Sequence, residues 1–156
     1  MPERNTPQKT LESWKQIAGY LERMVHSGLL TADAGVNALW WACDHADTAG
    51  IDLRACSLVQ VPHHGSRRNV GPSVLNRLLG PILPKGSAEQ RKAIASVPKD
   101  DEKHPRRIVM NAFLRRGVGV RKTQGEWYRL HANMPTRANE GTAQPFSFFD
   151  EVEEYD

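Results

Sequence analysis

Apolar and polar residues follow two distinct spacings along this chain, and these spacings predict its elements. Apolar residues recur every three or four positions over 9–26, 35–48, 72–79 and 105–116, which predicts four helices. Short apolar runs predict strands over 29–32, 56–61 and 93–97, and a hairpin with strands 118–123 and 126–131 around Gln124-Gly125. Strands and helices therefore alternate from residue 29 onward. This order is typical of an α/β protein whose helices pack on a sheet.

The two ends of the chain differ in pattern from its middle. Residues 1–28 are predicted to form a polar start and an amphipathic helix, whose apolar stripe suits a core or an interface. From residue 132 the chain shows no regular period, and the segment 150–156 carries five acids and no base. We predict three parts: residues 1–28, a domain over 29–131 and an extended acidic tail over 132–156. For the tail, docking of Phe146, Phe148 and Phe149 on the domain is the open alternative.

Composition narrows the class of protein. The chain has 156 residues, of which 39% are hydrophobic and 25% are charged, and this suits a globular domain. No apolar run approaches the roughly 18 residues that span a bilayer, and the first residues lack the apolar stretch of a signal peptide. Two cysteines, Cys43 and Cys56, are too few for a disulfide scaffold and are predicted to pack as free thiols. These features predict a cytoplasmic protein with no membrane partner.

Charge is unevenly distributed along the chain. The formal net charge is +3, and because the segment 150–156 contributes −5, the rest of the chain carries +8. A basic body suits a polyanionic partner such as nucleic acid. Pairs of arginines at 67–68, 106–107 and 115–116 are the candidate contacts for such a partner.

Two predicted strand ends carry residues with candidate chemistry. The apolar run that ends at Val61 is followed by Pro-His-His-Gly-Ser-Arg-Arg, which places His63 and His64 just beyond a strand. Imidazole is the commonest metal ligand, and loops at strand ends frequently carry function. The run at 29–32 ends at Asp33, a carboxylate that is also well placed to cap the next helix. Both interpretations of Asp33 remain open at this stage.

Four motifs, taken in order, resemble a known family. They are Leu-Leu-Thr-Ala-Asp-Ala-Gly at 29–35, Val-Pro-His-His-Gly-Ser at 61–66, Ser-Val-Pro-Lys-Asp-Asp-Glu-Lys-His-Pro at 96–105 and Gly-Val-Gly-Val-Arg-Lys-Thr-Gln-Gly at 117–125. Each motif is weakly specific, but the ordered set over residues 29–131 resembles the C-terminal half of a metallo-β-lactamase-fold metallohydrolase, of the competence-type DNA-internalisation subgroup. The resemblance implies a partial metallo-β-lactamase fold, the C-terminal half of the αβ/βα sandwich, with an added N-terminal helix.

The resemblance also implies roles for individual residues. Asp33 would bridge two metal ions, Zn²⁺ or Mn²⁺, and His64 would bind one of them, so that water ionises at neutral pH and attacks the substrate. His63 and His104 would act in catalysis, by contact with the substrate or by proton transfer. The residues implied in substrate binding are Gly65, Ser66, Arg67, Arg68, Lys99 and Lys103.

One motif of the superfamily is missing from this sequence. Most metal ligands of its members come from a His-x-His-x-Asp-His or His-x-Asp-x-Asp-His loop, whereas the only histidine before Asp33 here is His26. A catalytic zinc usually has three protein ligands, so we predict weak metal binding and no activity of this chain alone. The chain is interpreted as a truncated or split metal-dependent hydrolase of phosphodiesters or nucleic acid, completed by another chain or by self-association.

Two alternatives remain open from the sequence. In the first, the chain is a non-catalytic relic that serves as an interaction module. In the second, it is a basic nucleic-acid-binding domain without chemistry. The arginines that would contact nucleic acid in the second alternative are Arg67, Arg68, Arg106, Arg107, Arg115 and Arg116.

Overall fold

The computed structural model describes residues 28–126, 128–129, 138 and 141–154. In this part of the chain four strands alternate with three helices, in the order β1 (Gly28–Leu29), α1 (Val36–Ala49), β2 (Leu58–Gln60), α2 (Pro72–Leu79), β3 (Arg91–Ala95), α3 (Arg107–Leu114) and β4 (Val118–Lys122). The strands form one parallel sheet in the order β1-β2-β3-β4. The predicted α/β class is confirmed. The helix predicted over 9–26 lies outside the described residues.

The helices share one hydrophobic core with one face of the sheet. Successive side chains of a strand point to opposite faces, and in β3 Ala93 and Ala95 are buried whereas Lys92 is exposed. Full burial of a large side chain such as Phe113 contributes roughly 1.5–3 kcal/mol. No helix in the described residues is long and apolar enough to cross a membrane. The core cluster includes Leu39 and Cys43 of α1, Val74, Leu75, Leu78 and Leu79 of α2, Val109, Met110 and Phe113 of α3, and Val59, Ala93, Ala95, Val118 and Val120 of the strands.

Parallel pairing brings the segments that follow the strands to one edge of the sheet. The register joins β3 to β4 over five positions, from Arg91–Val118 to Ala95–Lys122, and β1 to β2 over two positions. The segments 30–35, 61–71, 96–106 and 123–126 therefore all leave the sheet at its carboxyl edge. In open α/β sheets this edge is where ligands bind.

The observed elements differ from the predicted ones mainly at their ends. Helix α2 spans its predicted range, α1 is displaced by one residue, and α3 is two residues shorter at each end. Strand β2 is shorter than predicted, and β3 begins two residues earlier. Strand β1 stops at Leu29 instead of residue 32, because the backbone N–H groups of Thr31 and Ala32 donate to the side chain of Gln60 and not to a neighbouring strand.

Of the hairpin predicted after α3, the first strand is confirmed as β4, whereas the second strand, predicted over 126–131, is wrong over the described residues. β4 pairs parallel to β3, and Glu126, Tyr128 and Arg129 lie in no strand, while the other residues of 127–131 lie outside the described part of the chain. The turn itself is confirmed at Gln124 and Gly125, whose φ angles are 38° and 87°. The Glu126 N–H closes this turn on the carbonyl of residue 123 at 2.7 Å. Turn chemistry is local, whereas pairing of the following segment depends on what else occupies the sheet edge.

Part of the tail packs on the domain. The Phe146 N–H donates to the carbonyl of Val120 at 2.9 Å, and the Asn111 side chain bonds both the N–H and the carbonyl of Phe149, at 2.9 and 2.8 Å. Phe146 and Phe149 pack against the core, whereas Phe148 is 45% exposed. The docking alternative is therefore confirmed for two of the three phenylalanines. The tail covers part of the open edge of β4, which otherwise presents unpaired backbone groups.

Candidate functional site

The turn that carries Asp33 is held by residues of the neighbouring strand and loop. The Gln60 side-chain oxygen accepts hydrogen bonds from the N–H groups of Thr31 and Ala32, at 3.1 and 2.9 Å. The Asn69 side-chain amide donates to the carbonyl of Asp33 at 3.3 Å. These hydrogen bonds hold the backbone of the turn on both sides of Asp33. Capping does not explain Asp33, because the N-cap of α1 is Gly35 and no side chain caps it.

Three residues in the loops that carry Asp33 and the histidines adopt backbone conformations that L-amino acids rarely occupy. The φ angle is 44° at Ala32, 45° at His63 and 57° at His64. Each left-handed residue without special compensation costs roughly 1–2 kcal/mol. A hydrogen bond of 2.9 Å from the His63 N–H to the Ala32 carbonyl joins the two strained loops. Strain of this kind concentrates at functional sites, so its presence at both histidines points to a function for them.

Asp33 and His63 face each other without a hydrogen bond. His63 Nδ1 lies 3.4 Å from Asp33 Oδ1, and it is a buried nitrogen with no hydrogen-bond partner among the described residues. Two ligand atoms bound to one tetrahedral zinc, each about 2.1 Å from the metal, lie about 3.4 Å apart. The Asp33 side chain is 72% exposed, so its carboxylate is open to solvent. The arrangement fits two protein ligands of a divalent cation.

His64 is held differently from His63. Its Nδ1 lies 2.5 Å from the carbonyl oxygen of Ser96, just beyond β3. A carbonyl only accepts hydrogen bonds, so Nδ1 carries the proton and the lone pair of neutral His64 is on Nε2. Metal-binding histidines commonly have this arrangement. The rings of His63 and His64 are 5.6 Å apart, so both belong to one site, with His63 on the Asp33 side.

A second Asp–His pair lies in the loop that follows β3. His104 Nδ1 is 2.9 Å from Asp101 Oδ2, and Asp101 Oδ1 accepts from the N–H groups of Lys103 and His104, at 2.8 and 3.0 Å. The hydrogen bond from His104 is the main cause that lowers the pKa of Asp101. The Gln124 side chain donates to the Asp101 carbonyl at 3.0 Å. A carboxylate that orients an imidazole in this way suits proton transfer at the other ring nitrogen.

Gly65 brings this loop against the histidines. Its φ is 89°, and a Cβ at this position would lie 2.4 Å from the Cβ of Pro105. The Arg106 N–H donates to the Gly65 carbonyl at 3.1 Å. The sequence resemblance implied that Gly65 approaches the substrate. In the structure its buried contact is with Pro105, so the loop that carries Asp101 and His104 lies against the segment that carries His63 and His64.

The remaining candidate residues lie at the same edge and are basic or polar. Arg68 is exposed, and its N–H donates to the Ser66 hydroxyl oxygen at 3.3 Å. The Arg67 guanidinium donates to the carbonyl of Glu154 at 3.0 Å. Lys103 is exposed, as is Lys99, whose aliphatic stem lies beside Gly125. These cationic groups can meet an anionic ligand at this edge.

The sequence grouped Arg116 with the nucleic-acid contacts, and the structure corrects this. Arg116 is 3% exposed, and its guanidinium donates to the Asn76 side chain and to the carbonyls of Pro72 and Ala112. Burial lowers the pKa of Arg116. Arg115 follows the end of α3 and stacks on Phe148 at 5.3 Å, about 12 Å of helix away from the carboxyl edge. Only the arginines at 67–68 and 106–107 remain near the site.

Three residues of the site carried too weak a signal to be selected from the sequence. Two of them, Gln60 and Asp101, had a local signal in the sequence. Gln60 is a polar residue that interrupts an apolar run, and Asp101 precedes His104 by three residues. Asn69 had no such signal, because its hydrogen bond is to the backbone carbonyl of Asp33, 36 positions away.

The described residues contain no group of three or more His, Cys, Asp or Glu side chains that could hold a metal ion. Asp33 and His63 therefore offer two candidate ligand atoms. No protein-family model, curated protein or solved structure matches the chain. Its function is accordingly inferred from the geometry of the site.

Proposed function

We propose that this chain provides one half of the active site of a metal-dependent hydrolase, and that its sheet and helices are the C-terminal half of a metallo-β-lactamase fold. The observation that carries the proposal is the 3.4 Å approach of His63 Nδ1 to Asp33 Oδ1 without a hydrogen bond. Asp33 and His63 would hold Zn²⁺ or Mn²⁺ together, with His64 Nε2 as a further donor. Because two or three ligands hold a catalytic metal weakly, a second polypeptide segment is required to supply the others.

The chemistry follows from what surrounds the pair. A divalent cation held by Asp33 and His63 would supply acidified water and a positive charge to polarise a phosphoryl oxygen. His104, oriented by Asp101 at 2.9 Å, would transfer a proton to or from the reacting group. The Ser66 hydroxyl and the Arg68 guanidinium would donate hydrogen bonds to phosphate oxygens.

Nucleic acid is the substrate class that suits this edge. The chain outside the segment 150–156 carries a formal charge of +8, which favours a polyanion. Exposed Arg68, Lys99 and Lys103 lie in the two loops that meet at the candidate site. A cytoplasmic location would suit Cys43 and Cys56, which are both buried and form no disulfide with each other.

A second function, nucleic-acid binding without catalysis, is favoured by the small number of converging metal ligands. In that case the same basic loops bind the phosphate backbone, and Asp33 and His63 take no part in chemistry. Metal binding at Asp33 and His63 separates the two functions.

Paramagnetic broadening by Mn²⁺ tests the metal site even if binding is weak. In spectra of the ¹⁵N-labelled chain, we expect the amide signals of residues 32–35 and 63–66 to broaden before the others. Asp33→Asn and His63→Gln should abolish this selectivity. The matched controls Asp100→Asn and His45→Gln, at exposed positions outside the pair, should leave it intact.

Broadening that is absent, or that the control variants remove equally, would contradict a metal site at this edge. Hydrolysis of bis(p-nitrophenyl) phosphate by the chain with Mn²⁺ should remain at background. Robust turnover abolished by Asp33→Asn would show instead that the chain holds a complete site, contrary to the proposal.

A further inference from the structure

The acidic end of the described chain lies at the same edge as the candidate site. The Glu153 carboxylate accepts hydrogen bonds from the N–H groups of Arg107 and Ile108, at 2.7 and 3.3 Å, in the first turn of α3. The carbonyl of the next residue, Glu154, accepts from the Arg67 guanidinium at 3.0 Å. One short acidic segment therefore bridges the loop that carries the histidines and the helix that follows the Asp101–His104 loop.

The packing of Phe146 and Phe149 on the domain positions the acidic segment that follows them. Phe149 is held by two hydrogen bonds to the Asn111 side chain, and the Arg107 guanidinium lies 5.5 Å over its ring. Phe146 is tied to β4 and packs against the core. Only three residues separate Phe149 from Glu153, so the carboxylate cannot move far while Phe149 stays docked.

The carboxylate is held in its charged form. Burial acts to raise the pKa of Glu153, but hydrogen bonds from backbone N–H groups, with that of Arg107 the largest, outweigh it and lower the pKa. An anion is favoured at the positive end of a helix and beside guanidinium groups, which are also the groups that phosphates seek. Glu153 and Glu154 thus use donors that an incoming phosphate would need.

We propose that the segment 150–154 is an autoinhibitory strap, which competes with the phosphodiester backbone of nucleic acid for Arg67 and for the first turn of α3. The inference rests on the proposed polyanionic substrate of this edge. Nucleic acid must displace the strap in order to bind Arg67 and the first turn of α3. Release of Phe149, or neutralisation of Glu153, opens the edge.

Fluorescence anisotropy with a labelled single-stranded DNA oligonucleotide at low salt tests the strap. Glu153→Ala should tighten binding roughly fivefold, since it removes one anion from contact with the donors. The matched control is Glu151→Ala, which changes the net charge equally at an exposed position and should alter binding by less than about twofold. Glu153→Gln keeps an oxygen acceptor for the amides, preserves folding and should tighten binding to an intermediate extent.

Each outcome is decisive. If Glu153→Ala and Glu151→Ala tighten DNA binding equally, net charge alone explains the effect and the autoinhibitory role of the strap is refuted. Unchanged binding in Glu153→Ala and Glu153→Gln, with a parent chain that binds DNA, would overturn the strap and leave the proposed substrate class intact. If neither the parent nor a variant lacking residues 150–156 binds DNA, the proposal of a nucleic-acid substrate is refuted. The proposal of autoinhibition by the strap is then refuted as well.

Discussion

The contact between Gly65 and Pro105 gives the sharpest test of how the site is assembled. In Gly65→Ala the new Cβ would lie 2.4 Å from the Cβ and 2.8 Å from the Cα of Pro105. One of these atoms belongs to the backbone, so the loop 96–106 must move as a unit. The φ of 89° adds strain, because an alanine there leaves the favoured regions.

The expected loss of stability combines these two effects. A left-handed alanine costs roughly 1–2 kcal/mol, and overpacking of a close contact typically costs 1–3 kcal/mol, so the sum is about 2–5 kcal/mol. Domains of this kind have an unfolding free energy of about 5–15 kcal/mol, so the variant should still fold. With a urea m-value near 2 kcal/mol/M, the midpoint of unfolding should fall by about 1–2.5 M.

A matched variant separates the two effects. Gly86 has a φ of 86°, and a Cβ there would meet nothing within 4 Å. Gly86→Ala should therefore show the backbone strain alone, roughly 1–2 kcal/mol. The assay is urea unfolding followed by circular dichroism, with the NMR signals of Asp101 and His104 as a report on loop position. Equal destabilisation by the two variants, or unmoved signals in Gly65→Ala, would refute the tight contact between the loops.

Three further predictions concern the tail, the pH dependence and the arginines. Asn111→Ala should lower the unfolding free energy by about 1–3 kcal/mol and expose Phe149 to solvent; unchanged protease resistance near residue 149 would contradict the docking. The pKa of Asp101 is lowered in the folded state, so its contribution to stability is present above the ordinary aspartate value of about 3.9 and is lost as the pH falls through the folded pKa. Urea midpoints measured from pH 6 to pH 2 should therefore fall less steeply in Asp101→Asn than in the parent, and parallel curves would show that the Asp101–His104 bond adds nothing. Arg116→Met should lower the free energy of unfolding by about 2–4 kcal/mol without weakening DNA binding. Arg68→Ala should weaken DNA binding without changing the urea midpoint of unfolding. The opposite pair of results would refute the assignment of Arg68 to the DNA-binding surface and of Arg116 to the core.

The sequence by itself was sufficient for the class of the fold and for selecting candidate site residues at strand ends. Alternating spacings predicted the α/β class, and local signals located α2 and the Gln124-Gly125 turn. Asp33, His63 and His64 were selected because each stands just beyond an apolar run. Such signals are local, since a few neighbouring residues are enough to favour a helix, a turn or a strand end.

The tertiary structure alone decided which of these residues meet. It placed Asp33 opposite His63, with His64 turned to Ser96, because the two histidines have left-handed backbones that no periodicity reveals. It also paired β4 parallel to β3 and placed the tail, instead of the predicted second hairpin strand, on part of the outer edge of β4.

The physical reason is the separation of the partners along the chain. Gln60 bonds residue 31 from 29 positions away, and Asn111 bonds Phe149 from 38 positions away. A hydrogen bond forms wherever the fold brings a donor and an acceptor together, and partners this far apart leave no pattern in the local sequence. Local patterns therefore predict the elements, whereas only the packed sheet determines which side chains share a site.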